Sequence, residues 1–342
     1  MKTIAIPALQ TEESLTTIGT LEILNESCSP WCQIAQGESR LGSPLFDVQV
    51  VSESGEPVKF TNGIILYPGH SIREVKPDII VVPALGHELD AILKRNQVYV
   101  DWVSQSYNRG CHVASICTGA YVLGAAGLLD GKRATTHWFF ADDFKRRFPR
   151  VDLREQQMIV DEGDIVTCGA VTAYLNLVIY LIEKYFGHEI ALRTAKMYLV
   201  DMDRPCQLPF QVYRFPITYS DSSIARIQEF IAEHFKEDLT IDDIAKRAGM
   251  SVRNFSRRFK SATGERFSNY IQKLRVETAK RLLESTDYSA SEIMYQVGYS
   301  DDRSFRRLFK RRLSPKHYRT KFKIRFQNIA LMRKGGNKRT KR

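Results

Sequence analysis

Two stretches fifty residues apart say nearly the same thing. Arg253–Lys260 reads RNFSRRFK, Arg303–Lys310 reads RSFRRLFK, and five of the eight positions agree. Each follows an apolar-periodic segment ending at a glycine: IDDIAKRAGMS over 241–251 and SEIMYQVGYS over 291–300. A helix, a glycine turn and a second helix crowded with arginine outline a helix-turn-helix. In the first unit Thr240 and Asp243 predict a capping box, Gly249 a left-handed turn and Ser251 an N-cap. Phe255 and Phe259 are four apart, share one helix face and read as core. Arg253, Ser256, Arg257 and Lys260 fall on the other side. In the second unit Ser289 and Glu292 predict the capping box and Gly298 the turn. Phe305 and Phe309 repeat the core pair, and Arg303, Arg306, Arg307 and Lys310 repeat the exposed face. One extra residue between Ser300 and Phe305 precedes that face. Between the units, Phe267–Ser285 reads as one helix with Ile271, Leu274, Ala279, Leu282 and Leu283 inward, a rigid spacer for two readers of DNA. Arginine suits such a face because its planar fork matches guanine O6 and N7 or a phosphate. One copy could be a solvated basic face; two copies with matched core and exposed positions argue against that.

Charge divides the chain at the same place. The 342 residues carry 50 Lys and Arg against 39 Asp and Glu, a net of +11. Residues 221–342 hold thirty basic and fourteen acidic residues, a net of +16, which leaves twenty against twenty-five, a net of −5, in 1–220. That asymmetry points to a nucleic-acid-binding domain attached to something else. Asp203–Ser220, with Pro205, Pro209 and Pro216 and no clear period, reads as the linker. The expected organisation is a front domain over 1–202, a linker over 203–220, a DNA-binding domain over 221–322 and a basic tail over 323–342 ending KGGNKRTKR. The six cysteines (Cys28, Cys32, Cys111, Cys117, Cys168 and Cys206) lack the spacing of a disulfide scaffold. With no signal peptide and no membrane-length apolar run, a cytoplasmic protein with reduced thiols is expected. Cys28 and Cys32 have no second ligand pair, so no metal is expected, and no cofactor.

The front half alternates strand-like and helix-like segments. Lys2–Ile6, Phe46–Val51, Asp78–Val82 and His112–Ile116 read as strands. Met158–Val160 and Ile165–Thr167 read as a strand pair turning at Glu162 and Gly163. Helical spacing covers Ser14–Ser27, Val98–Tyr107, Thr118–Ala126 and Ala170–Phe186. Alternation with continuous apolar strands predicts an α/β domain, a parallel sheet flanked by helices on both faces, ahead of an all-α domain with two helix-turn-helix units. ASICTGAYVLGAAGLLDG, from Ala114 to Gly131, places Cys117 at a sharp strand-to-helix turn, where nucleophiles recur. The helix N-terminus is expected to favour the Cys117 thiolate.

Residues from about 221 to 322 resemble the AraC/XylS family of bacterial transcription regulators, through IAKRAGMS, RRFKSATG, LRVETAKRLLEST, VGYSDDRSFRRLFK and SPKHYR. The resemblance implies a seven-helix domain that inserts two recognition helices into successive major grooves. It implies base contacts from Arg253, Ser256 and Arg257 in the first unit and from Arg303, Arg306 and Arg307 in the second. The family usually carries two more residues, commonly including a glycine, where Arg312-Leu313-Ser314-Pro315 stands here, so a tighter turn is implied after the second recognition helix.

Residues 1–200 resemble, more loosely, regulators with a class I glutamine amidotransferase-like, PfpI-type domain, through the cysteine turn and GLLDGKRATTHW ending at Trp138. Proteolytic members carry histidine after the nucleophile, where Thr118 stands. Other members keep a glutamate near the thiol; Leu15 aligns there, with Glu12 and Glu13 close by. The oxyanion loop, usually proline and two glycines, reads Pro83-Ala84-Leu85-Gly86. Catalysis needs a base, an oxyanion hole and an orienting acid, so Cys117, Thr118 and His137 are read as ligand-pocket residues and the domain as not an enzyme. His137 could equally be a histidine hydrogen-bonded near the surface. The leading expectation is a homodimeric activator that works with RNA polymerase on double-stranded DNA and responds to a small effector; the resemblance suggests a nitrogen-containing metabolite. The rivals are a thiol-dependent hydrolase or amidase fused to a DNA-binding domain, and an architectural DNA binder.

Overall fold

The structure is a computed structural model and describes residues 1–11, 13–27, 44–202, 206–207, 210–211, 221–301, 303–305 and 307. Cys28, Cys32, Glu12, Arg306, Phe309, Lys310, the turn at 312–315 and the basic tail lie outside the described residues. The chain divides into two compact units, Met1–Gln207 and Leu208–Arg342. Cys206 and Gln207 thus belong to the front unit.

The front unit contains β1 (Lys2–Pro7), β2 (Phe46–Ser52), a ribbon of β3 (Val58–Lys59) and β4 (Ile65–Leu66), β5 (His70–Ser71), β6 (Ile79–Val82) and β7 (His112–Ile116). A second ribbon of β8 (Arg133–Ala134) and β9 (Asp152–Leu153), then β10 (Ile159–Asp161) and β11 (Ile165–Cys168), complete the strands. Seven of these form one sheet in the order β10-β11-β7-β6-β1-β2-β5. All neighbours are parallel except β10 and β11, an edge hairpin closed by the Glu162 N–H to the Ile165 carbonyl. Period-two alternation sorts the side chains. Ile80, Val82 and Val113 enter one core, Ile79, Val81, Ala114 and Ile116 the other. The run Ile79–Val82 therefore has no polar position, because both sides are covered.

On the first face pack α2 (Leu89–Arg95), α3 (Gln97–Asn108), α4 (Ala120–Ala125) and α5 (Ala141–Arg147), through Ile92, Val103, Leu123 and Phe144 among others. With α1 (Leu15–Glu26) counted from the start of the chain, the second face carries α1, α6 (Tyr174–Phe186) and α7 (His188–Met197), through Leu24, Leu177 and Ala191. Two expected helices begin with a tighter turn. Cys117–Gly119 and Val171–Ala173 are single 3-10 turns that lead into α4 and α6.

The second unit is helical: α8 (Ser222–His234), α9 (Ile241–Arg247), α10 (Val252–Thr263), α11 (Phe267–Ser285) and α12 (Ala290–Gln296), with residues 303–305 and 307 helical beyond it. Two cores lie side by side. One gathers Ile224, Ile231, Ile244, Phe255, Phe259 and Tyr270; the other gathers Phe235, Ala279, Leu283, Ile293, Val297 and Phe305. The 19-residue α11, about 28 Å long, feeds its first half into one and its second half into the other, and Leu274 packs against both.

The caps follow the sequence with one change. Ser251 accepts from the Asn254 N–H, and Ser289 with Glu292 makes the full reciprocal box. Thr240 accepts from the Asp243 N–H, but Asp243, one methylene shorter than glutamate, reaches the Thr240 hydroxyl and not its backbone N–H. In the second unit the extra residue is absorbed by the cap. Asp301 accepts from the Arg303 and Ser304 N–H groups, so Asp301 precedes Phe305 by four, as Ser251 precedes Phe255.

Both turn glycines are left-handed, Gly249 at φ +66° and Gly298 at φ +80°. Their surroundings differ. A Cβ at Gly249 meets nothing within 4 Å, whereas one at Gly298 would lie 2.3 Å from the Lys236 carbonyl oxygen. Gly249→Ala is therefore expected to cost about 1–2 kcal/mol from backbone strain alone, and Gly298→Ala distinctly more. Urea unfolding of the two variants checks the order; equal costs would contradict the close approach at Lys236.

Candidate functional site

α10 presents two faces. Phe255 and Phe259 are fully buried, with ring centroids 5.2 Å apart. Arg253, Arg257 and Lys260 are exposed and Ser256 is half-buried. The third arginine of the helix is committed elsewhere. Arg258 clasps Asp221 with Nε to Oδ2 at 2.8 Å and Nη2 to Oδ1 at 2.7 Å, and Asp221 also caps α8. The guanidinium holds the Asp221 carboxyl below its ordinary range. This pair fixes α10 against α8 and leaves Arg253 and Arg257 facing outward. Arg257 donates to Asn254 Oδ1 at 3.1 Å, one turn back. Arg253, Ser256, Arg257 and Lys260 line a groove of about 870 Å³ that continues over Arg266, Ser268 and Gln272 at the start of α11. In the second unit Arg303 and Arg307 are exposed and Phe305 is buried, the same division of faces.

Within the helical unit the two helix-turn-helix motifs are braced together. Arg275, midway along α11, donates to the Phe235 carbonyl at 2.8 Å and the Glu237 carbonyl at 2.7 Å, and its guanidinium lies 5.1 Å from the Tyr299 ring centroid. Tyr299 follows the second turn glycine, so the loop after α8, the spacer helix and the second helix-turn-helix share one set of contacts. The sequence does not mark Arg275, because an arginine amid the apolar stripe of the long helix resembles any solvated position.

In the front unit Cys117 sits between β7 and α4 at φ +55°, a left-handed conformation that a non-glycine residue rarely adopts. Gly119 permits the turn to close, since a Cβ there would lie 2.6 Å from the Pro83 carbonyl oxygen. The thiolate expectation fails. Cys117 is 2% exposed, and burial pushes its thiol up to about 12, against the lowering effect of hydrogen bonds from Thr118. Below that pH the group is a neutral thiol. Leu15, the position aligned with the family glutamate, is half exposed, while the charge of Glu13 reaches Cys117 and raises its pKa further. The Glu13 carboxylate also accepts from the Leu15 N–H at 3.0 Å. Cys168, at the end of the adjacent β11, is fully buried and also lies against Cys117.

Two amides of the oxyanion loop are already satisfied. The Ala84 N–H donates to Thr16 Oγ1 at 3.0 Å and the Leu85 N–H to Thr118 Oγ1 at 2.9 Å. Thr118 is thus a buried acceptor. His137 caps a 3-10 turn at Trp138–Phe140, its Nδ1 accepting from the Phe139 N–H at 3.1 Å, which leaves Nε2 as the protonated nitrogen of the neutral ring. Burial lowers its pKa. Its neighbour Thr136 donates a hydroxyl to the Cys117 carbonyl at 2.9 Å. The strand-to-helix turn therefore gathers Cys117, Thr118, Thr136 and Cys168 in one buried cluster. Among the described residues no group of three or more His, Cys, Asp or Glu could hold a metal ion, and no helix is long and apolar enough to cross a membrane.

The DJ-1/PfpI family model matches residues 3–184, more than half of the chain. The chain belongs to the DJ-1/PfpI family. Behind its DJ-1/PfpI domain a helix-turn-helix domain, of the AraC type, matches residues 244–321. Among relatives, the HTH-type transcriptional regulator CdhR of Pseudomonas aeruginosa is 27% identical over 279 residues, 81% of this chain and 82% of that protein. The HTH-type transcriptional regulator GlxA of Rhizobium meliloti is 31% identical over 208 residues, 60% of this chain and 63% of its own. Isonitrile hydratase of Pseudomonas putida is 31% identical over 149 residues, 43% of this chain and 63% of the enzyme. The DJ-1/PfpI family thus includes at least one protein named as an enzyme.

Proposed function

We propose that this protein is a sequence-specific DNA-binding transcription regulator, an activator that works with RNA polymerase as a cytoplasmic homodimer. Its DJ-1/PfpI domain binds a small, nitrogen-containing effector near Cys117, Thr118 and His137. The observation that carries the reading is the division of arginines on α10: Arg258 is locked to Asp221 while Arg253 and Arg257 face out, and Arg303 and Arg307 repeat that exposure. The relatives named as HTH-type transcriptional regulators support it. The expected organisation of front domain, short linker and DNA-binding domain belongs to the same proposal. The test is a pair of substitutions. Arg257→Ala and Arg307→Ala are each expected to relax sequence preference, at segments of the site about one helical turn apart, and to cost about 1–3 kcal/mol where the arginine reads a guanine. Selection of bound sequences from a random pool reads both effects. Variants that select the parent's sequences would sink the face assignment.

The likeness to isonitrile hydratase favours a second reading, catalysis at Cys117. Three features support a non-catalytic sensor instead: a buried protonated thiol, oxyanion-loop amides satisfied by Thr16 and Thr118, and a histidine whose Nδ1 is used in capping. Cys117→Ser is expected to leave DNA binding within about twofold of the parent and to alter only the response to effector, because the substitution lies in the other compact unit. Turnover of an isonitrile, amide or ester by the parent, lost in Cys117→Ser, would establish the enzyme reading.

A further inference from the structure

Gln207, the last residue of the front unit, is 1% exposed. Its backbone N–H donates to the Gln156 carbonyl at 2.8 Å, and Cys206 pairs with Gln157 in an antiparallel bridge. Its side-chain nitrogen faces four oxygens: the Thr136 carbonyl at 2.9 Å, the Gln157 carbonyl at 3.1 Å, the Glu155 carbonyl at 3.2 Å and Thr135 Oγ1 at 3.3 Å. On the opposite side the Trp138 N–H donates to Gln207 Oε1 at 3.2 Å. Three of the four oxygens are carbonyls, which can only accept. The fourth belongs to a hydroxyl that donates to the Gln157 carbonyl at 3.0 Å. The surroundings therefore dictate which end of the amide is which, since the reverse orientation sets a carbonyl oxygen against three others.

Gly169 forms the wall behind the nitrogen. A Cβ there would lie 1.9 Å from Gln207 Nε2, so the space exists only because residue 169 lacks a side chain. The site adjoins the cysteine turn: Thr136 also holds the Cys117 carbonyl, and Gly169 follows Cys168. A pocket with an N–H donor on one side and a surplus of acceptors on the other is complementary to a planar –C(=O)NH₂ group.

We propose that these groups form a primary-carboxamide recognition site which this chain fills from within by Gln207, and that an effector bearing a primary amide takes the same place. The inference rests on the reading of the DJ-1/PfpI domain as the effector sensor. Gln207 immediately precedes the second compact unit, so exchange of its side chain for an effector frees the end of the front unit that leads into it. Effector occupancy and DNA affinity are then linked through one residue.

Acetamide comprises the heavy atoms that Gln207→Ala removes, which makes it the probe. In thermal unfolding of the full chain, saturating acetamide is expected to raise the melting temperature of Gln207→Ala by about 2–4 °C more than that of the parent. N,N-Dimethylacetamide, which has no N–H, gives no such gain. Gly169→Ala keeps Gln207 but puts a methyl group in its place, and the variant should lose the site altogether. Both variants are expected to change the affinity of the full chain for a parent-selected DNA in the same direction, by about fivefold or more. Equal acetamide shifts in parent and Gln207→Ala, or a gain produced by methylammonium in place of acetamide, would overturn the carboxamide site. An acetamide gain with unchanged DNA affinity in both variants would overturn the link to DNA. Neither result touches the regulator reading, which falls only if the parent itself selects no DNA sequence.

Discussion

Raising monovalent salt from 50 to 200 mM is expected to lower the DNA affinity of the full chain by about 10³- to 10⁵-fold. Residues 221–342 carry a net +16, and Arg253, Arg257, Lys260, Arg303 and Arg307 are exposed on the two helix-turn-helix units. If each unit with its flanking basic residues neutralises three to five phosphates, about six to ten counterions leave the duplex, and the log–log slope is about −0.9 for each. The locked Arg258 contributes nothing to this slope, because its charge is already spent on Asp221. Fluorescence anisotropy with one labelled duplex across a salt series measures it. A slope near zero would mean that the basic unit does not bind the phosphate backbone, and the assignment of both faces would fall with it.

Phe259→Ala is expected to abolish DNA binding while the front unit still unfolds as it does in the parent. Phe259 is fully buried, with ring centroids 5.2 Å from Phe255, 5.9 Å from Phe267 and 5.2 Å from Tyr270. Truncating such a side chain costs about 3–5 kcal/mol, a large fraction of the about 5–15 kcal/mol that holds a typical domain folded. The loss is confined to the second unit because none of these partners lies in the first. Urea unfolding followed by circular dichroism, with DNA binding measured in parallel, separates the two units. A single parent-like transition with intact DNA binding would refute the core assignment of the repeated phenylalanines.

The sequence carried the second unit in unusual detail. Phe267–Ser285 forms the helix its periodicity predicts, Ser251 and Ser289 cap where expected, and the glycines at 249 and 298 are left-handed. Helical periodicity and caps are local, so they can be read without knowing what packs where. The alternating strands of the front unit were legible for the same reason. Two-residue strands such as Val58–Lys59 and Arg133–Ala134 were not, because two residues have no period. The short helices α2, α5 and α7, of seven, seven and ten residues, were no more legible.

The cysteine turn shows the limit more sharply. The sequence placed Cys117 at a strand-to-helix turn, and the backbone there is indeed left-handed. It did not reveal the protonation state, because a helix N-terminus and a dry core push a thiol pKa in opposite directions, and only the depth of burial decides between them. Alignment offered Leu15 as the neighbour of the thiol, yet the charge that reaches Cys117 is that of Glu13. Glu13 lies two positions earlier and ahead of the helix that begins at Leu15, so helical spacing does not govern where its carboxylate reaches.

The sequence by itself determined the two-part organisation, the class of each part, the burial of Phe255, Phe259 and Phe305, and the residue at the turn. These follow from composition, period and local caps. Only the tertiary structure decided which arginine is spent within the protein, which amides of the loop at Pro83 are already satisfied, and that Gln207 occupies a polar pocket beside Cys117. Each of these depends on partners as far as 33 to 72 residues away along the chain, and spacing within one segment carries no record of such a partner.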